Sequence, residues 1–304
     1  MGKMLERGMG WLPDYPDFRD YSIERDEVAP GHRDLGQKDS VRAMLAKAGV
    51  VRTGARKLPG SVDLRQWCAP IEDQGELGSC TANAAAGIVE YFERKAFGRH
   101  IDASRLFLYK VTRNLMRATG DTGAFLRTTM GALVLFGVPP EEYWPYDAAG
   151  FDREPPAFSY AFAQSYRAIT YYRLDESGVS AEALLKRCKA NLAAGLPAMF
   201  GFTVYSSISQ AAGTGRIPWP MSGEKILGGH AVCAVGYDDR MKIVNEEAGG
   251  KGTTGALLIR NSWGAGWGEK GYGWLPYEYV LSGLAQDWWS LLKNEWINTG
   301  EFKA

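Results

Sequence analysis

The first segment whose residue types suit chemistry is Gln74-Gly75-Glu76-Leu77-Gly78-Ser79-Cys80-Thr81-Ala82-Asn83. Apolar spacing after it predicts a helix over residues 80–97, with Ser79 as the capping residue and Gly98 after the last turn. In the first turn of a helix, unpaired amides and the positive end of the dipole favour a thiolate, the nucleophilic form of cysteine. A buried cysteine there can equally be only a small apolar residue, so this segment alone leaves the role of Cys80 open.

Two later segments contribute a histidine and an asparagine. His230, one of three histidines, begins an apolar strand directly after Gly228 and Gly229. Asn261 ends another strand and leads into the turn Ser262-Trp263-Gly264-Ala265-Gly266-Trp267-Gly268. Taken singly, the histidine fits a hydrogen-bonded core residue and the tryptophans fit packing residues. Taken together, the three segments form the order Cys, His, Asn.

This order resembles the papain-like cysteine peptidases, in which His and Asn follow the cysteine by roughly 130–150 residues. His230 lies 150 residues after Cys80, whereas Asn261 lies 181 residues after it. The longer separation is explained by residues 238–254, which exceed a tight hairpin, and insertions at a loop tip are tolerated. The resemblance covers roughly residues 58–275.

The resemblance implies a role for each residue of the site. Cys80 would attack the peptide carbonyl, and His230 would pair with its thiolate and later protonate the leaving amine. Asn261 would hold the imidazole in its productive orientation, and Trp263 would shield that hydrogen bond from water. Gln74 would donate its side-chain amide to the oxyanion hole beside the backbone amide of the cysteine. Loss of one such donor typically costs about 10²–10³ in rate.

A substrate-binding segment is implied as well. Its counterpart is Gly123-Ala124-Phe125-Leu126, with Gly229 and Ala231 opposite. These residue types predict a roomy, apolar pocket for the second residue before the scissile bond, with a preference for Leu, Val or Phe. The alternative is that Phe125 and Leu126 simply fill the core of the left lobe.

The chain also departs from the family pattern. The family usually has Cys-Gly-Ser-Cys-Trp, where this sequence has Leu77-Gly78-Ser79-Cys80-Thr81. Leu77 thus replaces a cysteine that is normally disulfide-bonded, and Asp121 stands near the position of its partner. Loss of both ends favours a reducing compartment. We expect Cys188 and Cys233 to be buried free thiols, while Cys68 has no evident role.

The order of predicted elements indicates the fold class. Further helices are expected over residues 40–48, 104–117, 123–136 and 180–194, and strands over 198–204, 229–237, 241–244, 255–261 and 271–275. Helices followed by strands predict an α+β protein with two lobes. The resemblance implies the papain-like fold, with a helical left lobe (about 70–160) carrying Cys80. A barrel-like right lobe (about 161–285) would carry His230 and Asn261 across a cleft, followed by a C-terminal extension over 286–304.

Residues 1–57 differ from the rest of the chain in their sequence pattern and are expected to form an N-terminal arm. Prolines and aromatic residues make residues 11–21 extended or turn-like. We hypothesise that this arm is a short propeptide that covers the cleft and keeps the enzyme latent until it is cut near Arg56-Lys57. The alternative is a tail that only packs on the surface.

The composition of the chain excludes several classes of protein. Of 304 residues, 45% are apolar and 23% charged, which excludes a disordered chain, and 35 basic residues balance 35 acidic ones. Bulk charge therefore favours neither nucleic acid nor an anionic membrane, and no apolar run reaches the about 18 residues of a membrane span. The first residues carry no secretory pattern, so a cytoplasmic location is expected, the alternatives being a signal missing from this sequence or export by another route. The four cysteines match no metal-ligand spacing, so neither metal nor cofactor is expected.

The sequence thus predicts a monomeric thiol endopeptidase, whose expected partners are peptide or protein substrates and its own arm. Two alternatives remain. A relative could use the same acyl-enzyme for transfer or ligation, because an amine can resolve it instead of water. A catalytically silent papain-like binding module is the second, although the complete set of Gln74, Cys80, His230 and Asn261 argues against it.

Overall fold

A computed structural model describes residues 7–18, 20–28, 30–34, 36–50, 57–166, 170–247 and 249–302. In chain order its helices and strands are β1 (Trp11–Leu12), α1 (Pro30–Asp34), α2 (Val41–Lys47), β2 (Ser61–Asp63), α3 (Cys80–Phe97), α4 (Arg105–Leu115), β3 (Ala124–Phe125), α5 (Leu126–Leu135), α6 (Ala157–Ala163), β4 (Thr170–Arg173), α7 (Ala181–Ala193), β5 (Ala198–Tyr205), β6 (Ile226–Val244), β7 (Gly252–Arg260), β8 (Tyr272–Pro276), α8 (Tyr277–Leu281), β9 (Ala285–Leu292) and α9 (Asn294–Ile297). The α+β class is as predicted, with most helices in the first half and most strands in the second.

The main sheet has the strand order β4-β9-β5-β6-β7-β8, and β2 also pairs with β6. Its ladders are antiparallel. Among the described strands no pairing joins β4 to β8 at the two ends of this order, so the expected barrel is an open sheet. Strand β9 lies inside the sheet, which means that the predicted C-terminal extension begins within a strand.

Strand β6 joins two segments that sequence patterning separated. A turn was expected between residues 237 and 241, but β6 continues to Val244 and pairs with β7 as far as Gly252. The ladder shifts register between Asp238 and Lys242, so a bulge accommodates the polar residues. Residues 238–254, which lengthen the separation of His230 and Asn261, therefore lie mostly in strands β6 and β7 and not in a loop.

Helix α3 is the centre of the left lobe. Its bounds match the prediction, and every residue from Cys80 to Phe92 is buried. Gly98 follows in the left-handed conformation with a φ of 71°. The predicted cap is wrong: Ser79 occupies the N-cap position, yet its side chain makes no capping hydrogen bond, and its hydroxyl lies 2.7 Å from the Tyr146 hydroxyl instead.

The helix predicted over residues 123–136 begins later than expected. Ala124 and Phe125 are extended and form β3, which pairs in parallel with β1 of the arm. Helix α5 starts only at Leu126. The backbone of Ala124 and Phe125 thus pairs with β1 of the arm instead of forming hydrogen bonds within a longer helix.

The arm is built into the molecule. Ser40 caps α2 by accepting a hydrogen bond from the Ala43 amide, and Val41, Met44 and Leu45 are buried, as their spacing predicts. Trp11 is buried as well, with 7% of its surface exposed. The arm therefore contributes to the core, unlike a tail that only lies on the surface.

All four cysteines are buried and free. Cys188 lies on α7 with Leu184 and Leu192, and Cys233 lies on β6, as expected. Asp121 accepts hydrogen bonds from the Gly78 amide at 3.0 and 3.1 Å, next to Leu77, where the family usually carries a disulfide. Within the described ranges, no helix is long and apolar enough to cross a membrane.

Candidate active site

Cys80 is the first residue of α3 and is fully buried. Burial is the largest influence on its thiol and raises the pKa to about 11. Backbone N–H groups of Ala231, Gly10, Thr81 and Cys80 itself oppose this rise. Cys80 thus lies at the start of a helix that no side chain caps.

His230 is oriented by Asn261. The imidazole Nε2 lies 2.8 Å from the Asn261 Oδ1, which also accepts a hydrogen bond from the Ser262 amide at 2.8 Å. The His230 Nδ1 is buried and has no hydrogen-bond partner within the described residues. Burial lowers the pKa of His230 to about 4, with the Asn261 hydrogen bond opposing the shift, so the ring is neutral at pH 7 in this covered state.

Trp263 lies over the His230 ring, with centroids 4.5 Å apart and planes at 24°. Trp267 in turn packs edge-on against Trp263. Asn261 is only 2% exposed, so the His230–Asn261 hydrogen bond is shielded from water. The placement matches the shielding position that the resemblance implies for Trp263.

Gln74 is buried beside the helix start and held from both ends of its side chain. Its Nε2 donates to the Leu77 carbonyl at 2.8 Å and to the Gly8 carbonyl at 3.0 Å. Its Oε1 accepts from the Ser262 hydroxyl at 2.5 Å. The amide therefore points at a carbonyl oxygen of the arm, which makes it a ready donor to an oxyanion.

Residues 7–12 of the arm, here called the strap, occupy the cleft. The Ala124 amide donates to the Gly10 carbonyl at 2.7 Å, and the Gly8 amide donates to the Gly75 carbonyl at 3.1 Å. The strap passes so close that a Cβ on Gly10 would lie 1.8 Å from the Gly78 carbonyl oxygen. Covering by the strap explains why the site has no exposed surface.

The Trp11 ring fills a pocket of the right lobe. A Cβ on Gly201 would lie 1.9 Å from the ring, and a Cβ on Gly229 would lie 2.7 Å from the Trp11 carbonyl oxygen. At the end of the pocket the indole Nε1 donates to the Asp287 Oδ2 at 3.1 Å. Room for the ring exists because both wall positions lack side chains.

Asp287 is buried and has further partners. The Trp289 indole donates to its other oxygen at 2.7 Å, and the Arg173 guanidinium lies 3.3 Å from it. Burial raises the pKa of Asp287 to about 7, while Arg173 is the main opposing influence. The pocket thus combines apolar walls with one carboxylate at its end.

The predicted substrate-binding residues differ in their surroundings. Gly123 and Ala124 line it against Gly10, and Phe125 pairs with Leu12 in the β1–β3 ladder. Leu126 is fully buried and belongs to the same apolar core as Trp11 and Ala124.

Sequence reasoning missed the strap glycines and Asp287. The alternation Gly8-Met9-Gly10 before an aromatic residue is the signal for a close backbone approach. An aspartate inside the apolar, Trp-rich run at residues 285–292 is the corresponding signal for Asp287.

Comparison with known proteins decides the family. Residues 58–290 match the model of the papain family of cysteine proteases. The chain belongs to this family. It is 33% identical over 294 residues, 94% of this chain and 86% of the other, to an uncharacterized peptidase C1-like protein (L477) of Acanthamoeba polyphaga mimivirus. Cathepsin K of Gallus gallus is 29% identical over 226 residues, which are 71% of this chain but only 58% of the cathepsin.

A solved structure agrees. Xylellain, a cysteine protease from Xylella fastidiosa, is 32% identical and superposes with a TM-score of 0.70 over 94% of this chain and 96% of its own. The predicted family, papain-like fold and cysteine-type peptidase class are confirmed.

Proposed function

We propose that this papain-family protein is a thiol endopeptidase in which Cys80, His230, Asn261 and Gln74 perform the chemistry. The observation that carries the proposal is the hydrogen bonding of the two His230 ring nitrogens. Asn261 holds its Nε2, the Nδ1 has no partner within the described residues, and the N–H of the next residue, Ala231, is among the backbone donors that oppose the rise in the Cys80 pKa. A fixed base with one free nitrogen beside a thiol suits proton transfer from that thiol.

The proposed reaction has two steps. In the first, Cys80 passes its proton to His230, the sulfur bonds to the peptide carbonyl carbon, and the imidazolium protonates the amine as the C–N bond breaks. In the second, His230 takes a proton from water, the resulting hydroxyl attacks the thioester, and the proton returns to the departing sulfur. Both tetrahedral intermediates carry an oxyanion, for which Gln74 Nε2 and the Cys80 amide are the proposed donors.

For specificity, we propose that the pocket now filled by Trp11 receives the second residue before the scissile bond. Gly201 and Gly229 leave space for a large apolar side chain, consistent with Leu, Val or Phe. The carboxylate of Asp287 further supports an aromatic residue with a donor at its far end, as in Trp. A peptide series in which a residue with a charged side chain is cleaved best at this position would contradict the proposal.

Latency by the strap is the second part of the proposal. In a substrate, the residue that fills this pocket precedes the scissile carbonyl. In the strap, Trp11 follows Gly8 and Gly10, which lie against Gln74 and Gly78 next to the start of α3, so the strap runs in the opposite direction. A reversed backbone does not present its carbonyl carbons to the sulfur in the orientation of a substrate, and this arrangement protects the strap from attack.

Activation then requires the strap to leave the cleft. A cut near Arg56-Lys57 was one expectation, and Arg56 lies outside the described residues. Because α2 and Trp11 belong to the core, cutting the linker alone would leave the arm bound. Local opening of residues 7–12 therefore accounts for activation better than loss of the whole arm.

Intact-mass labelling with an irreversible epoxysuccinyl thiol-protease inhibitor under reducing conditions tests the nucleophile. We expect a single addition to the full chain that disappears in Cys80→Ala and persists in Cys188→Ala, a matched change of another buried thiol. Absence of addition, even after prolonged incubation, would favour a binding module. Products formed with an added amine nucleophile would reveal transfer instead of hydrolysis.

We further propose a reducing compartment, the cytoplasm, as the site of action. Four free cysteines, and hydrogen bonds from Gly78 to Asp121 where the family usually has a disulfide, support it. Protein isolated without reductant should titrate as four free thiols, and a stable disulfide would argue against this location.

A further inference from the structure

The Tyr146 hydroxyl joins the two parts of the oxyanion hole. It donates a hydrogen bond to the Gln74 backbone carbonyl at 2.9 Å and lies 2.7 Å from the Ser79 hydroxyl. Gln74 carries the side-chain donor, and Ser79 immediately precedes the backbone donor of Cys80. One side chain, from the segment between α5 and α6, thus connects the loop and the helix start.

Hydrogen counting fixes the direction of these bonds. The phenol has one hydrogen, which goes to the Gln74 carbonyl, so the Ser79 hydroxyl must donate to the phenol oxygen. The Ser79 oxygen in turn accepts from the Asn83 side-chain amide at 3.1 Å. Its hydrogen and one of its two lone pairs are therefore engaged by Tyr146 and Asn83, and it makes no capping bond to the first turn of α3.

The position of the Ser79 hydroxyl affects which backbone N–H groups are available to the Cys80 sulfur. A serine at the N-cap normally accepts a hydrogen bond from the second or third amide of the helix. Here the second amide belongs to Thr81, and its N–H is one of the backbone donors that oppose the rise in the pKa of the Cys80 thiol. If Ser79 turned to cap the helix, it would compete with the sulfur for such a donor.

We infer that Tyr146 is a positioning residue, which holds Gln74 and the start of α3 in register and keeps the Ser79 hydroxyl away from the first-turn amides. The guanidinium of Arg105 supports it from the ring face at 4.2 Å, and Glu72 and Glu141 hold that guanidinium at 3.0 and 2.6 Å. This inference rests on the proposed function, because it assigns Tyr146 a role in the same site.

Tyr146→Phe tests the inference, since it keeps the ring on Arg105 and removes only the hydroxyl. In the full chain we expect kcat for a peptide substrate to fall about tenfold with KM within twofold, as for loss of part of an oxyanion interaction made in the transition state. The pH profile of Cys80 alkylation should also shift to higher pH, because Ser79 becomes free to take the Thr81 amide.

A second variant separates the two effects. In Tyr146→Phe/Ser79→Ala no hydroxyl remains to cap the helix, so the alkylation profile should return to that of the wild type while kcat stays low. Tyr143→Phe is the matched control, because this tyrosine precedes Tyr146 by three residues and its ring packs on Phe158 and Phe162 instead. We expect its kinetics and alkylation profile to be unchanged.

Each outcome has a clear meaning. Tyr146→Phe with wild-type kcat and an unmoved alkylation profile would overturn the inference. An equal loss in Tyr143→Phe, or a loss that follows a lowered melting temperature, would also overturn it by showing general destabilisation. If the wild-type chain neither cleaves peptides nor labels at Cys80, the proposed function itself fails.

Discussion

Gly10→Ala should release the strap and activate the enzyme without removing any part of the arm. The new Cβ would lie 1.8 Å from the Gly78 carbonyl oxygen and 2.6 Å from the Gly78 Cα, whereas ordinary contacts are 3.4–4 Å. Both neighbours are backbone atoms next to α3, so they cannot rotate aside. The strap must therefore move away by more than about 1 Å.

The size of the effect follows from the bonds that this movement breaks. Ala124 to Gly10 at 2.7 Å and Gln74 to Gly8 at 3.0 Å are the two hydrogen bonds nearest the clash. At a net value of about 0.5–1.5 kcal/mol each, their loss destabilises the closed form by roughly 1–3 kcal/mol. Since 1.4 kcal/mol is a factor of ten, the open fraction should rise by between about fivefold and about 100-fold.

The assay is the second-order rate of Cys80 labelling by the epoxysuccinyl inhibitor, read by intact mass. If opening precedes labelling, the rate is proportional to the open fraction, so we expect about tenfold faster labelling. Gly60→Ala is the control, because a Cβ there meets no atom within 4 Å. Equal rates for Gly10→Ala and the wild type, in folded protein, would refute the strap as the cause of latency.

Three further changes have defined outcomes. Gln74→Ala should lower kcat by about 10²–10³ with little change in KM, measured on a peptide substrate; an unchanged kcat would remove it from the oxyanion hole. Burial raises the pKa of Asp287 to about 7 from an unfolded value of about 4. Between these two pH values the folded chain binds more protons than the unfolded chain, so the free energy of unfolding falls as the pH rises from about 4 to about 7. Asp287→Asn should flatten the change in melting temperature between pH 4 and 7, and an unaltered slope would contradict this. Asp121→Ala leaves the Gly78 amide and the Tyr109 hydroxyl without their acceptor, so thermal unfolding should show a loss of about 2 kcal/mol, and an unchanged melting temperature would count against it.

Local patterns in the sequence predicted much of the fold and the residues of the candidate active site. Apolar spacing and Gly98 predicted both ends of α3, because amphipathic periodicity and a left-handed terminator are properties of the local chain. Cys80, His230 and Asn261 could be singled out because few residue types perform nucleophilic catalysis. Their order along the chain then indicated the family.

Other local signals were overridden by distant partners. A serine before a helix normally caps it, yet Ser79 bonds Tyr146, which lies 67 residues away in the chain. The polar residues from Asp238 to Lys242 suggested a turn, but pairing with β7 carried the strand through them. In both cases a tertiary hydrogen bond replaced the local one that the sequence pattern favoured.

By itself, the sequence determined the residue types of the site, the class of chemistry and most element positions, because these depend on side-chain chemistry and short-range periodicity. Only the tertiary structure decided what covers the site and what lies at the end of its pocket. Trp11 and Asp287 meet across 276 residues of chain. No local preference encodes such a contact, since it forms only when the two lobes and the arm pack around one cleft.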